Sequence, residues 1–589
     1  MTRQANLKQL DNAQIANILS EMAVLYAMHH VEFKPRAYEK AAESVAAFHE
    51  DIGILYKREG IVGLQKIPGV GKGIAFHIEQ LLTKGSFEEY RELKAKTPVQ
   101  IEELMAVEGV GPQTISMLWE RLKIKNLNDL EKAARAGKIQ KLPGFGKKSQ
   151  EKILRGIEFL QQTGGRKPLG IALHHARELE IAVVKFKEVR KVAIAGSLRR
   201  RKETIGDVDL LICTDKPEKV TEQFLALPSV RHVFGKGTTK INVRLRNGLE
   251  VDVRVIPEES WGAALNYFTG SKAHNVALRK IAIKKGYKMN EYGLFKGKKM
   301  VAGKTEKEIY EKLEMSYMEP ELREDTGEID AAIREFHGEK PWLPKLIGYS
   351  DLKGDLQVQT DWTDGKNSIE EMALAAEQMG LEYIAITDHT KSLAMTNGTD
   401  EEKLLRQMKE IDTLNAKLRL QGKKVCILKG AEVNILKDGS LDIADEVLSQ
   451  LDVVGAAVHT HFNLSLSEQT ARVVAAMKNP HVDILFHPTG RLINKRKPIE
   501  LDMEVVIAKA KETKTILEIN ASPERLDLKD NFIRRCVERG ARMVIDSDAH
   551  AMEQYAFLPL GIAQARRGWA EKKDILNTFS LKEFLSQLK

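Results

Sequence analysis

The stretch KVAIAGSLRRRKETIGDVDLLIC, residues 191–213, decides how the first half of the chain is read. A short β-branched run leads into Gly196-Ser197, then a cationic turn, then Gly206-Asp207-Val208-Asp209 and a second apolar run. Strand residues two apart point the same way, so Asp207 and Asp209 share a face. INVRL (241–245) and EVDVRVI (250–256) continue the short-strand pattern and predict a sheet, with Asp252 bringing a third carboxylate from a neighbouring strand. Three clustered carboxylates repel one another unless a hard divalent cation neutralises them, which points to Mg²⁺ or Mn²⁺. Two such ions can activate a hydroxyl and stabilise a leaving pyrophosphate. Gly196, Ser197, Arg199 and Arg200 add the amide, hydroxyl and guanidinium donors that suit a triphosphate.

Upstream, one motif recurs as LQKIPGVGKG (64–73), LMAVEGVGPQ (104–113) and IQKLPGFGKK (139–148). Each places an apolar anchor before a glycine pair: Gly69 and Gly71, Gly109 and Gly111, Gly144 and Gly146. Glycine permits the tight turn, and the helix opening behind it presents backbone N–H groups that hold a phosphate oxygen. Charge agrees with this. Residues 1–300 carry 52 Lys and Arg against 34 Asp and Glu, whereas the remaining 289 carry 40 against 49. A cationic front half calls for a polyanionic partner, nucleic acid being the usual one.

After about residue 345, strand-like runs alternate with helical stretches: YIAIT, VCILKG, VVGAAV, VDILF, TILEIN and RMVID. This βα repeat predicts a parallel sheet or barrel. Asp388 and His389, Glu432, His459, His487, and Asp548 with His550 all follow the ends of these runs, the edge at which barrels build active sites. Imidazole and carboxylate are the donors wanted by Zn²⁺ or Mn²⁺. No run approaches a membrane span, and three scattered cysteines suit a reducing cytoplasm.

The spacing G-S-x₉-D-x-D, the later Asp252 and Tyr267-Phe268-Thr269-Gly270-Ser271 together resemble the DNA polymerase beta family, family X, over roughly residues 1–318. The recurring glycine motif resembles helix-hairpin-helix elements, which grip the DNA backbone. The resemblance implies that Asp207, Asp209 and Asp252 are catalytic metal ligands, with Asp252 accepting the 3′-hydroxyl proton. It places Arg166, Ser197, Arg200 and Gly206 on the triphosphate, Tyr267 and Phe268 at the nucleotide sugar, and Gly270 among the nucleotide-binding residues. Asn275 and Arg279 fall beside the nascent pair and template, and Lys34, Tyr38 and Lys72 near a 5′-phosphate. Ile205 and Glu250 depart from the family, standing where a serine and an arginine can occur. His77 stands where the family's lyase lysine can occur, and imidazole cannot form that iminium.

Residues 348–570 resemble the PHP domain, a distorted seven-stranded barrel holding up to three metals. The resemblance implies that Asp364, His389, Glu432, His459, His487, Asp548 and His550 are ligands. One departure is pronounced: the family's opening D-L-H-x-H strand reads Asp355-Leu356-Gln357-Val358-Gln359. A glutamine amide is a neutral, poor zinc ligand.

The expected chain is therefore multidomain. A helical DNA-end-binding domain (1–90) and a fingers-like helical domain (91–165) precede an α+β nucleotidyltransferase palm (166–258). A thumb-like subdomain (259–318), a linker (319–345) and a (βα)₇ PHP barrel (346–589) follow. The expected activity is short-gap filling in DNA repair by a monomer, on gapped or primed DNA with deoxynucleoside triphosphates, the 3′–5′ exonuclease being impaired. An active PHP nuclease, untemplated terminal transfer and a non-catalytic DNA-end scaffold are the rival readings.

Overall fold

The computed structural model describes residues 10–589 apart from 11, 30, 47, 49–51, 68, 106, 108–109, 164 and 394–395. The chain divides into two compact units, Met1–Gly165 with Asn494–Arg496, and Arg166–Ile493 with Lys497–Lys589.

The first unit is helical. Its helices form for local reasons as well as for the core they bury. Leu127–Arg135 is capped by the Asn126 side chain, which accepts from the Asp129 N–H, and Asp129 and Arg135 oppose the helix dipole at its two ends. Leu130, Ala133 and Ala134 form its buried stripe. Two of the recurring motifs end in a glycine that caps a helix: Gly71 before Lys72–Lys84 and Gly111 before Pro112–Leu122. The third motif opens Lys147–Thr163. Gly69 and Gly144 have φ of 77° and 79°, a left-handed turn that any β-carbon disfavours. Gly109 lies outside the described residues.

The second unit begins with a five-stranded sheet in the order Lys191–Ile194, Asp207–Cys213, Glu250–Ile256, Lys240–Leu245, Val230–Lys236. Asp207–Cys213 and Glu250–Ile256 run parallel, and the other neighbours are antiparallel. Leu210, Ile212, Val251 and Val253 pack with Leu169 and Leu173 of the helix Leu169–Val184. Helices Trp261–Thr269 and Lys272–Lys284 and a small antiparallel sheet follow.

The segment expected as a linker, 319–345, is instead folded. It contains the helix Glu328–Phe336, and both Arg323 and Glu328 are wholly buried. Acid and proline content reads as solvated chain only until the partners are seen. Glu328 accepts from His274 Nδ1 at 2.7 Å, and Glu321 accepts from Arg566 Nε at 2.7 Å. These partners lie 54 and 245 residues away in sequence.

The C-terminal part is a seven-stranded parallel sheet whose strands neighbour one another in chain order, from Gly354–Val358 to Met543–Asp546. It nearly closes into a barrel: Gln359 N donates to the Ala549 carbonyl at 2.8 Å, joining the first strand to the chain after the last. Leu356, Leu428, Phe486, Ile516 and Val544 fill the interior at one end. By the two-residue period of a strand, Glu432 and Glu518 then face inward at the other end. Phe584 of the terminal helix Leu581–Leu585 plugs the apolar end, stacked on Tyr383 at 5.5 Å. We expect Phe584→Ala to cost about 3–5 kcal/mol, read as an earlier urea midpoint. An unchanged midpoint would show that the plug does not stabilise the barrel.

Candidate active sites

In the palm sheet, Asp209 lies directly opposite Asp252 and Asp207 opposite Glu250. The Gly196 backbone (φ 61°) packs so closely on Asp209 that a β-carbon there would sit 2.0 Å from Oδ2. Glycine is the residue that meets both constraints. Burial first, and then the charges of Asp207 and Asp252, push the Asp209 carboxyl up to about 7, against the pull of Arg200 and Arg254. Asp252 Oδ1 accepts a hydrogen bond from Asn242, its cross-strand neighbour on the other side. Among the described residues, the three aspartates are not one of the clusters whose ligand atoms all lie within 4.8 Å of one another.

Some of the expected nucleotide residues touch this edge, and the others are linked to one another. Ser197 sits in the turn Gly196–Arg199. Arg166 is anchored on Thr204, to Oγ1 at 3.0 Å and to the carbonyl at 2.6 Å. Its Nη1 would lie 2.9 Å from a β-carbon at Gly206. Arg200 donates from Nε to Glu324 at 3.0 Å and from Nη1 to the Thr269 carbonyl, beside Gly270. Tyr267 and Phe268 meet edge to face at 5.2 Å, and the Arg254 guanidinium stands 5.0 Å from the Phe268 ring. Asn275 Nδ2 donates to the Tyr267 carbonyl at 2.6 Å, and Arg279 Nε donates to the Asn275 carbonyl at 3.3 Å.

In the first unit, His77 is held by the Tyr38 hydroxyl at 2.5 Å and stacks on Phe87 at 4.0 Å. Burial lowers its pKa, against the pull of Glu89. Tyr38 is itself a core residue. Lys34 pairs with Glu89 at 2.9 Å, and Lys72 is exposed at the start of its helix.

At the polar end of the barrel, Asp364, His389 and His550 offer ligand atoms all within 4.8 Å of one another, as do His389, Glu432 and His459. His389 Nδ1 and His459 Nε2 lie 3.3 and 3.1 Å from Glu432 oxygens and make no hydrogen bond to a described residue. Imidazole nitrogens aimed at a carboxylate in this way suit a shared cation. His487 Nε2 donates to Glu432 at 2.9 Å. Asp548 is engaged elsewhere, by Asn520 at 3.1 Å and Arg525 at 3.2 Å. Asp388 accepts from Thr360 and Gln407 and ties down the loop after the first strand, so it is not a ligand-like neighbour of His389.

Both glutamines are wholly buried. Gln359 Nε2 donates to Glu432 Oε2 at 2.8 Å, and Gln357 Oε1 accepts from Asn520 at 3.0 Å. Gln357 Nε2 and Gln359 Oε1 have no hydrogen-bond partner among the described residues. An orphaned buried amide costs about 1–3 kcal/mol.

Sequence reasoning missed Asn242, Arg254, Glu518 and Asn520. Their signal was period two: Arg254 follows Asp252 on one strand, and Glu518-Ile519-Asn520 ends a strand with both polar groups on one face. Asn242 needed the sheet register.

Comparison with known proteins matches residues 10–87 to a helix-hairpin-helix domain and 101–158 to a SAM-like helix-hairpin-helix tandem. Residues 264–324 match the DNA polymerase beta thumb, and 355–514 the PHP domain. The chain is 38% identical over 561 residues to the "DNA polymerase/3'-5' exonuclease PolX" of Bacillus subtilis, covering 95% of each protein. It is 25% identical over 345 residues to rat (Rattus norvegicus) "DNA polymerase lambda", covering 53% of this chain and 56% of that one. It is also 35% identical over 192 residues to a "Probable phosphatase" of Acetivibrio thermocellus, covering 31% of this chain and 73% of that one. With the helix-hairpin-helix, thumb and PHP segments in one chain and a full-length relative, the protein belongs to the PolX family, the family X DNA polymerases that carry a PHP domain.

Proposed function

We propose that the chain fills short gaps in DNA during repair, adding deoxynucleotides to a templated primer 3′-hydroxyl as a monomer. The observation that carries this reading is the register of Asp209 against Asp252 on parallel strands, with Asp207 beside them and the Gly196 backbone against Asp209. Asp207, Asp209 and Asp252 would hold Mg²⁺ or Mn²⁺, which supplies charge neutralisation for phosphoryl transfer when bound. The fit rests on Asp209: a carboxyl whose proton is retained to about 7 by burial and like charge is one that a cation would ionise. Asn242 holds Oδ1 of Asp252, and Asp252 takes the hydroxyl proton. Arg166, Ser197, Arg200 and Gly206 bind the triphosphate. Tyr267 and Phe268 line the sugar, Gly270 belongs to the nucleotide site, and Asn275 and Arg279 border the pair being formed. Gly69, Gly71, Gly109, Gly111, Gly144 and Gly146, with Lys34 and Lys72, belong to the grip on DNA ends, whereas the buried Tyr38 supports them from the core through His77.

For the barrel, the two clusters fit Zn²⁺ or Mn²⁺ by donor type, and Gln357 and Gln359 do not. The 3′–5′ degradation of this chain is accordingly weak. The two glutamine amides, one bonded to Glu432 and the other to Asn520, favour this over a fully active nuclease.

Asp209→Asn should lower extension of a gapped substrate on the order of 10³-fold while DNA binding persists. Extension by the variant at the original rate would sink the assignment, and extension of a single-stranded primer by the original chain would favour terminal transfer.

Stability supplies a separate readout. Burial, and then the charges of Asp207 and Asp252, push the Asp209 carboxyl from an ordinary 3.8 up to about 7 in the fold. The metal-free native state therefore holds a proton that the unfolded chain has lost, and stability falls as pH rises between those values. The melting advantage of Asp209→Asn should grow from about pH 5 to about pH 8 and shrink when Mn²⁺ is added. A pH-independent difference would contradict the burial of this charge.

Gln357→His combined with Gln359→His should increase bound metal, measured by elemental analysis, and raise Mn²⁺-dependent shortening of DNA with extension unaffected. No gain in metal would mean that the barrel serves the polymerase as a support.

A further inference from the structure

The last residue of the barrel-domain helix Leu558–Arg567 reaches into the polymerase half. Arg567, whose side chain is 3% exposed, donates from Nη1 to the Arg200 carbonyl at 2.8 Å and to Glu324 Oε1 at 3.1 Å. The same Glu324 oxygen accepts from Arg200 Nε at 3.0 Å. On its other side Arg567 Nε donates to Asp530 Oδ2 at 3.0 Å. The charges alternate: Asp530, Arg567, Glu324, Arg200. Neighbouring contacts hold the same palm segment, with Arg491 Nη2 on Glu203 at 2.8 Å and Lys529 at 3.8 Å. Ile493, Leu526 and Leu560 of the barrel part share a buried cluster with Leu169 and Leu173 of the palm.

We propose that Arg567 of the PHP domain is a positioning residue for nucleotide addition, acting through Glu324 to hold Arg200 ready for an incoming triphosphate. This rests on the assignment of Arg200 to the triphosphate made above. Without Arg567, the cations left to Glu324 are Arg200 at 3.0 Å and the more distant Lys202 at 4.0 Å, so its charge falls chiefly on Arg200 and would compete with the triphosphate for the guanidinium. Arg567 divides that charge and fixes the Arg200 main chain, so the guanidinium is oriented without being neutralised. Burial raises the Glu324 carboxyl, yet Arg200, Arg567 and Lys202 together hold it below its usual value, so it is ionised at neutral pH and the competition is real. The shared apolar cluster keeps palm and barrel together when one ion pair is removed.

The test is steady-state gap filling by full-length Arg567→Ala, Arg567→Lys, Arg200→Ala and Arg567→Ala with Glu324→Gln, each with its melting temperature and DNA affinity. Arg567→Ala should raise the nucleotide KM about fivefold to tenfold with kcat within about twofold. Glu324→Gln should return that KM towards the original, because the competing charge is gone. Arg567→Lys, which keeps the charge and loses the fork, should fall between them and serves if the alanine variant does not fold. If Arg200→Ala raises KM and Arg567→Ala does not, the coupling is wrong. Equal loss in kcat and KM with no rescue by Glu324→Gln also overturns it, as a merely structural role would. If Arg200→Ala itself leaves KM unchanged, the triphosphate assignment fails instead.

Discussion

Like charges held side by side at strand ends are the constraint on which the second unit depends. Asp207, Asp209 and Asp252 are brought together by the parallel register of two strands, and the apolar residues between them bury the sheet. Backbone pairing and core packing thus force carboxylates into proximity that Coulomb repulsion opposes. The consequence is that burial and the charges of Asp207 and Asp252 push the Asp209 carboxyl up. Gly196 belongs to the same constraint, because a side chain there would displace the carboxyl that defines the site.

The barrel meets the constraint with a different donor set. Glu432 sits at the centre of its polar end, reached by His389, His459 and His487 and by the amide of Gln359. Burial would raise this carboxyl, and the surrounding imidazoles instead keep it well below its usual range. Gln359 contributes one hydrogen bond but brings no lone pair of comparable basicity, and its carbonyl oxygen remains without a partner among the described residues. Gln357 and Gln359 thus stand buried at the mouth as neutral amides, one on Glu432 and the other on Asn520.

Palm, thumb and barrel are joined by more than chain connectivity. Residues 319–345 bury Arg323 against Glu306 and the Met318 carbonyl, and Glu321 and Glu324 face arginines of the barrel part. Apolar side chains of palm and barrel occupy one cluster. The barrel is accordingly a wall of the polymerase unit as well as a site of its own.

The chain's local patterns determined a good deal. G-S-x₉-D-x-D, the glycine pairs and the βα repeat placed the palm aspartates, the hairpins and the barrel, because strand parity and helix-opening turns depend on nearest neighbours in sequence. The glutamines at 357 and 359 were equally legible, since both departures lie within one short motif. Tertiary structure alone decided the rest. It paired Asn242 with Asp252, turned Asp548 towards Asn520 and Arg525, buried Tyr38, and folded a segment that reads as linker. Each of these depends on a partner in another strand or helix, as Arg567 and Arg200 do across 367 residues. Sequence spacing holds no record of such contacts, because burial and charge pairing are set by which surfaces meet once the elements have packed.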